Sequence, residues 1–423
     1  MCLIAKIHSR QVLDSRGTPT IETTIFTDYG SFSAMVPSGA STGSFEAVEL
    51  RDNGKSFHGK SVQKAIQNVN QIIAPKLKNF PVCNQKELDQ LLIKLDGTEN
   101  KRKLGANAIL SVSLAAARAS AFACDLPLYS YLSELAGTKT VSLPVPQMNV
   151  INGGKHAGFE HDVQEHMFFP SKFKTFSQAL QASTDCYHEL KNLLKKKFGP
   201  TAIAVGDEGG FVPPLNSVEK RLDFMTQAID EQGYSGKISL ALDCAASEFY
   251  NKETHTYKLG NKIFSSSELI DFYSELISKY PIVSIEDGFA EEDWQAWQMF
   301  TKKMSKKIQI VGDDLLVTNS KRIQKAIKQK SCNSLLLKVN QIGTLTESIQ
   351  AFQLARKHNW NVVVSHRSGE TEDSFIADLV VGLNAGQSKF GAPARSERTA
   401  KYNRLLAIEE EPGKKAVFAG KLF

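Results

Sequence analysis

The sequence contains no CxxC pair. Its six cysteines (Cys2, Cys83, Cys124, Cys186, Cys244 and Cys332) are widely scattered, which excludes a disulfide scaffold and reads as free thiols in a reducing compartment. Zinc motifs are missing as well: His188-Glu189 is not followed by the second histidine of HExxH. Two glycine-rich segments, 37–43 and 150–158, lack the GKS or GKT of a phosphate loop and do not fit GxGxxG, so neither nucleotide fingerprint is present. No run approaches the roughly 20 apolar residues of a membrane span. The closest, 104–123, is interrupted by Asn107, Ser111, Ser113 and Arg118 and predicts a buried amphipathic helix. Lys6, His8 and Arg10 arrive before any signal-like apolar stretch forms, so the expected location is the cytoplasm. Short repeats and low-complexity segments are absent. The charge excess is small, +6 from 51 basic and 45 acidic side chains. It suits an anionic substrate and makes no case for a nucleic-acid binder. The basic runs Lys195-Lys196-Lys197 and Lys302-Lys303 lie at helix-like spacing and read as solvated helix faces.

What remains is an ordinary globular composition, 42% hydrophobic and 23% charged, in a chain of 423 residues. That length exceeds one ordinary domain and predicts two, one of them large. From Ile4 to Val36 short alternating runs surround the turn Asp28-Tyr29-Gly30 and predict an antiparallel hairpin. Helical periodicity follows over 62–77, 86–95 and 107–123. Strands followed by helices predict a small α+β domain, placed at residues 1–138. Beyond Pro144 and Pro146 short β-branched runs alternate with helical segments: 202–205, 238–242, 282–285, 308–311, 335–337 and 362–364. Near-continuous apolar strands alternating with helices predict a buried parallel sheet. About 280 residues at this spacing suit an eight-stranded β/α barrel, residues 139–423, better than an open sheet.

A charged group follows each run: Asp207-Glu208, Asp243, Glu286-Asp287, Asp313-Asp314, Lys338 and His366-Arg367. Taken singly, each is ordinary loop chemistry. Together they would converge at the C-terminal mouth of a barrel, where unpaired charges cost several kcal/mol each. Asp243, Glu286 and Asp313 form an all-oxygen set that favours magnesium over zinc. Lys338, beside such a cation, is expected to have a lowered pKa and to act as a base; a structural ion pair with one of the carboxylates is the alternative. The glycine-rich segments read as tight turns, or as mobile loops closing over the mouth.

The same segments closely resemble the enolase (phosphopyruvate hydratase) family, nearly end to end. The stretches include VPSGASTGSFEAVELRD (36–52), PVPQMNVINGGKHAG (144–158), VGDEGGFVP (205–213), SIEDGFAEEDW (284–294), LLLKVNQIGTLTE (335–347) and GAPARSERTAKYN (391–403). The resemblance implies an α/β fold, a modified TIM-like barrel behind an N-terminal α+β domain. It implies reversible dehydration of 2-phospho-D-glycerate to phosphoenolpyruvate with two magnesium ions, the second arriving with substrate. Carried over by position, Asp243, Glu286 and Asp313 match ligands of the first ion and Ser41 a ligand of the second. Lys338 matches the base for the C2 proton, Glu208 the acid for the departing 3-hydroxyl, and Glu165 the second carboxylate near it. His156, Gln164, His366, Arg367, Ser368 and Lys389 match substrate-contacting positions, with Arg367 and Ser368 on the phosphate. A homodimer, or an octamer built from dimers, is expected. A cell-surface or secreted binding role is a secondary expectation, weakened because the sequence ends Lys421-Leu422-Phe423 and not on lysine. Departures are local: His166 stands where the family commonly has Phe, Gly288 replaces a common Pro, and 159–162 diverges.

Overall fold

The strand register begins at the predicted turn. β1 (Lys6–Leu13), β2 (Pro19–Thr27) and β3 (Gly30–Met35) form an antiparallel sheet in which Thr27 pairs with Gly30 across the hairpin. The structure is a computed structural model that describes residues 2–40, 43–158, 160–411 and 417–422. Ile21 and Ile25 of β2 are fully buried beneath the helix Ala106–Ala123. The small residues of that helix permit close approach, and its Ser111 hydroxyl meets the Thr23 hydroxyl at 2.6 Å. By length and composition the helix could cross a membrane, but 83% of it is buried inside the protein; it is a core helix. Gly105 starts it at φ +96°, where an added Cβ would lie 2.6 Å from Leu50 Cβ, so no side chain fits.

The helix predicted over 62–77 is divided into Gln63–Gln67 and Ala74–Leu77 by a π-type stretch, Asn68–Ile73. The wide turn aims Asn70 at β1, where its side chain accepts from Ser9 N (2.8 Å) and donates to Ser9 O (3.0 Å). A backbone edge is thereby satisfied at the expense of helical regularity.

The barrel strands are β4 (Val145–Asn152), β5 (Glu165–Phe169), β6 (Ser239–Asp243), and, after a small sheet of β7 (Tyr250–Asn251), β8 (Thr256–Leu259) and β9 (Lys262–Phe264), β10 (Ile282–Glu286), β11 (Gln309–Gly312), β12 (Ser334–Leu337), β13 (Asn361–Ser365) and β14 (Gly386–Lys389). They close in the order β4-β5-β6-β10-β11-β12-β13-β14. Two features differ from the sequence reading. β5 runs antiparallel to both neighbours, because the short link from Asn152 to Glu165 returns the chain as a hairpin where a parallel strand would need a crossover. The run 202–205 is no barrel strand: Gly199 (φ +83°) and Pro200 lead into a 3-10 turn, Pro200–Ile203, and Val205 makes a single bridge to Phe211. Four apolar residues do not distinguish a strand from a turn.

Leu336 pairs with Val363, and with Val311 they form a buried cluster separate from the main core. Their neighbours Leu335, Leu337, Val362 and Val364 belong to the layer between strands and helices, so by alternation this trio fills the barrel interior. Gln147, Gln309 and Gln387 plug it further with reciprocal amide bonds of 2.7–3.0 Å. Leu336→Ala should leave an unfilled space and lower unfolding free energy by about 3 kcal/mol, measured by denaturant titration; a loss below about 1 kcal/mol would place Leu336 outside a packed interior.

Candidate active site

Glu165 at the start of β5 pairs in register with Asp243 at the end of β6, and Asp243 pairs with Glu286 at the end of β10. Because β5 is reversed, its first residue lies at the same barrel end as the last residues of its neighbours. Asp313 follows β11, Lys338 follows β12, His366 follows β13, and Lys389 ends β14. Residues in register on adjacent strands project to the same side, so these side chains share one mouth. Gln164, Glu165, Glu208, Asp243, Asp313, Lys338, His366, Arg367, Ser368 and Lys389 all line one cavity.

Lys389 is the hub. Its buried Nζ lies 2.8 Å from Asp243 Oδ2, 2.9 Å from Glu286 Oε1 and 3.2 Å from Glu165 Oε2. Burial works against its charge, but these carboxylates win and hold its pKa well above the ordinary value. Lys338 pairs with Asp313, whose other oxygen accepts Gln341 Nε2 at 2.8 Å. The lowered Lys338 pKa expected beside a bound cation is set against the pull of its carboxylate partner. Burial lowers it, yet the Asp313 carboxylate against the amine raises it by more, so Lys338 is held as an ammonium in this arrangement.

Negative charge outnumbers positive here. Burial, followed by neighbouring carboxylates, pushes Glu165, Glu286, Asp287 and Asp314 well above the carboxylate range. Asp313 is lowered: burial raises it, but Lys338 outweighs that. Glu286 Oε2 is buried without a hydrogen-bond partner. Asp243, Glu286 and Asp313 come from three consecutive strands of the ring. An excess of buried oxygen donors on one arc fits a hard divalent cation. Among the described residues, the acidic trio whose ligand atoms lie within 4.8 Å of one another is a different one, Asp287, Asp313 and Asp314. Both oxygens of Asp287, however, already accept the backbone N–H groups of Asp313 (2.9 Å) and Asp314 (2.8 Å), so Asp287 shapes the turn that presents Asp313. Asp287 itself sits at φ +43°, a conformation these bonds help to hold.

On the far side, Glu208 Oε2 accepts Asn149 Nδ2 at 2.9 Å. Arg398 Nη1 lies 2.7 Å from His366 Nδ1. Guanidinium only donates, so Nδ1 accepts and the ring proton is on Nε2, which faces Glu208 Oε1 at 3.5 Å. Arg367 Nη1 donates to Glu46 Oε2 (2.9 Å) and to Asn340 (3.0 Å). Ser368 Oγ accepts the Ala40 N–H at 2.7 Å, and Ser38 bridges to Gly369. Ser38, Ala40 and Glu46 of the N-terminal domain thus lie against the barrel mouth. Ser41 falls outside the described residues, and so does the side chain of His156.

Sequence reasoning passed over Glu46, Asn149, Gln341 and Arg398, which hold the reactive groups without heading a strand end. Their signal was present in the resembling stretches 36–52, 144–158, 335–347 and 391–403, where all four occur. Of the departures, His166 is fully buried, and burial followed by Arg221 keeps its pKa far below the ordinary value, so it is a neutral core group. An added Cβ at Gly288 would touch Ile285 and Tyr273 at 3.4 Å, an ordinary contact. Phe159 lies outside the described residues, whereas Asp162 pairs with buried Arg221 at 2.8 Å.

Fold and site together define a β/α-barrel enzyme whose acidic and basic side chains converge at one mouth, against an N-terminal α+β unit. Residues 140–423 match the family described as Enolase, C-terminal TIM barrel domain, and residues 4–132 match Enolase, N-terminal domain. Two relatives named Enolase, from Thermococcus gammatolerans and Pyrococcus furiosus, are each 54% identical over 422 residues, covering 99% of this chain and 97% of theirs. The chain belongs to the enolase family. It is a lyase of that family, and enolases use magnesium.

Burial, partly opposed by Glu208, lowers the His366 pKa to about 3, against an ordinary 6.5. Between those values the unfolded chain takes up a proton that the folded one refuses, so this residue subtracts stability progressively as pH falls below 6.5. Nitrogen NMR of the imidazole should show a neutral Nε2-protonated ring that does not titrate between about pH 5 and 8; a transition near 6.5 would contradict the buried neutral form.

Proposed function

We propose that this enzyme catalyses the reversible dehydration of 2-phospho-D-glycerate to phosphoenolpyruvate. Lys338 is the base that removes the C2 proton, and Glu208, with Glu165 beside it, is the acid that protonates the departing 3-hydroxyl. The observation that carries this division is topological. β12, which delivers Lys338, lies four strands from β5 in the closed ring of eight, so Lys338 and Glu165 face each other across the mouth. A substrate between them would meet base and acid on opposite sides. The elevated Glu165 pKa, from burial and then from Glu208, favours a proton shared on that side.

Arg367 and Ser368 bind the phosphate in this reading. Glu46 and Asn340 hold the guanidinium, and the segment entering at Ala40 keeps the serine in place. Gln164, Lys389, His156 and His366 complete the substrate contacts. Lys389 is well placed to meet a substrate carboxylate because its charge survives burial. Asp243, Glu286 and Asp313 would hold one magnesium ion, and Ser41 is assigned to a second that enters with substrate. Bound magnesium would supply Lewis-acid charge to the substrate carboxylate and share the Asp313 charge that otherwise keeps Lys338 protonated. Arg398 fixes the His366 tautomer so that its N–H, not its lone pair, points at Glu208.

The same reading carries a domain boundary at 138/139, action in the cytoplasm, and a homodimer or dimer-built octamer. The resemblance supports it, as does the sheet-and-helix unit ending with the helix Leu128–Ala136 before β4 begins at Val145. A binding role at the cell surface or in secreted form stays secondary.

With 2-phosphoglycerate and added magnesium, absorbance of the enol product should rise; no rise under saturating metal would remove the reaction assigned here. Lys338→Ala should abolish exchange of the C2 proton with solvent, a loss of at least about 10³-fold, while metal titration stays near wild type; retained exchange takes the base role from Lys338. Glu208→Gln should keep C2 exchange but stop water loss. An equal loss of both steps would mean that acid and base are not separate.

A further inference from the structure

Six cysteines scattered along the sequence read as isolated thiols, but the fold brings two of them together. Cys83 Sγ and Cys124 Sγ lie 3.9 Å apart although 41 residues separate them in the chain, and both residues are solvent-exposed. Neither sits within a helix or strand. Cys83 lies in the turn before the helix Gln85–Asp96, and Cys124 caps the C-terminus of the core helix Ala106–Ala123. Their approach is built in from both sides. Ser120, one helical turn before Cys124, donates its hydroxyl to Val82 O at 2.6 Å, next to Cys83. Val82 N in turn donates to Cys2 O at 3.0 Å, so the cysteine turn is fastened to the start of the chain as well as to the helix end.

We propose that Cys83 and Cys124 form a dithiol site that closes to a disulfide by exchange with a small-molecule disulfide such as oxidised glutathione, and so staples the turn before the helix Gln85–Asp96 to the end of the domain's central helix. The geometry asks little. A rotation about one Cα–Cβ bond moves a sulfur by more than the roughly 2 Å that separates contact from the S–S bond length. In the first step one cysteine thiolate attacks a glutathione sulfur and expels a glutathione thiolate, leaving a mixed disulfide. The second cysteine, giving up its proton, then attacks the protein sulfur of that mixed disulfide and expels the other glutathione. Both protons end on the two glutathione thiols, and the two electrons lost by the protein sulfurs reduce the glutathione disulfide.

The pair is a dithiol at rest. Although the residue is exposed, partial desolvation of its sulfur, and after it the neighbouring Cys124, pushes the Cys83 thiol up to about 11, so the attacking thiolate is a minor form and the exchange quickens at alkaline pH. The remaining cysteines are poorly suited to the same chemistry: Cys2, Cys186, Cys244 and Cys332 are buried, so a reagent in solvent does not reach them. The closed loop lies within the N-terminal domain, away from the barrel cavity. Closing it should therefore raise stability without altering turnover.

The test uses the full-length enzyme equilibrated with oxidised glutathione, quenched with N-ethylmaleimide and mapped by peptide mass spectrometry. A Cys83–Cys124 linked peptide is expected, with a rise in Tm of about 5 °C that dithiothreitol reverses, and with kcat and KM unchanged. Cys83→Ser and Cys124→Ser, and equally Cys83→Ala and Cys124→Ala, should each abolish the linked peptide and the Tm shift, whereas Cys2→Ser should keep both. N-ethylmaleimide on both Cys83 and Cys124 after oxidation would overturn the proposal. So would stable glutathione adducts in place of the link, or a link from Cys2.

Discussion

The site depends on one constraint: a buried lysine ammonium can be held among carboxylates only if those carboxylates arrive from different strands. Lys389 touches Asp243, Glu286 and Glu165, which end or begin three neighbouring strands, while Lys389 itself closes the ring from β14. Each of these charges would be costly alone in the interior. Together they tie strands across the barrel. The reversal of β5 belongs to the same constraint, because a parallel strand there would carry Glu165 to the opposite end.

Around this hub a second layer of side chains sets direction more than charge. Asp287 caps the backbone amides of Asp313 and Asp314, Gln341 and Lys338 take one Asp313 oxygen each, and Arg398 selects the His366 tautomer. Glu46 reaches from the N-terminal domain to Arg367, so the two domains share one edge of the cavity. A site assembled this way has few freely rotating groups, which suits chemistry that requires a base and an acid on fixed opposite sides.

Much of this was legible in the residues. Charged groups following apolar runs singled out Glu208, Asp243, Glu286, Asp313, Lys338, His366 and Arg367, and the turn at Asp28-Tyr29-Gly30 was read as a hairpin. β5 was not legible, because a strand opening on Glu165-His166 has no apolar start and nothing local states its direction. The run 202–205 misled for the opposite reason: it is apolar and short, and the turn at Gly199-Pro200 redirects it. Lys338 showed the limit for electrostatics. A bound cation beside it implies a lowered pKa, while its contact with Asp313, which no sequence spacing states, pulls the other way.

By itself the sequence determined the division into an α+β unit and a barrel and the identity of the chemical groups, which follow from residue types and periodicities along the chain, while the family entered through the resemblance of whole stretches. Only the tertiary structure decided which of those groups meet. The ring order put Lys338 opposite Glu165, the register aligned Glu165, Asp243 and Glu286, and packing of a helix end against a turn brought Cys83 to Cys124. The physical reason is that strand pairing and side-chain contact depend on distance in space, which separation along a chain does not encode.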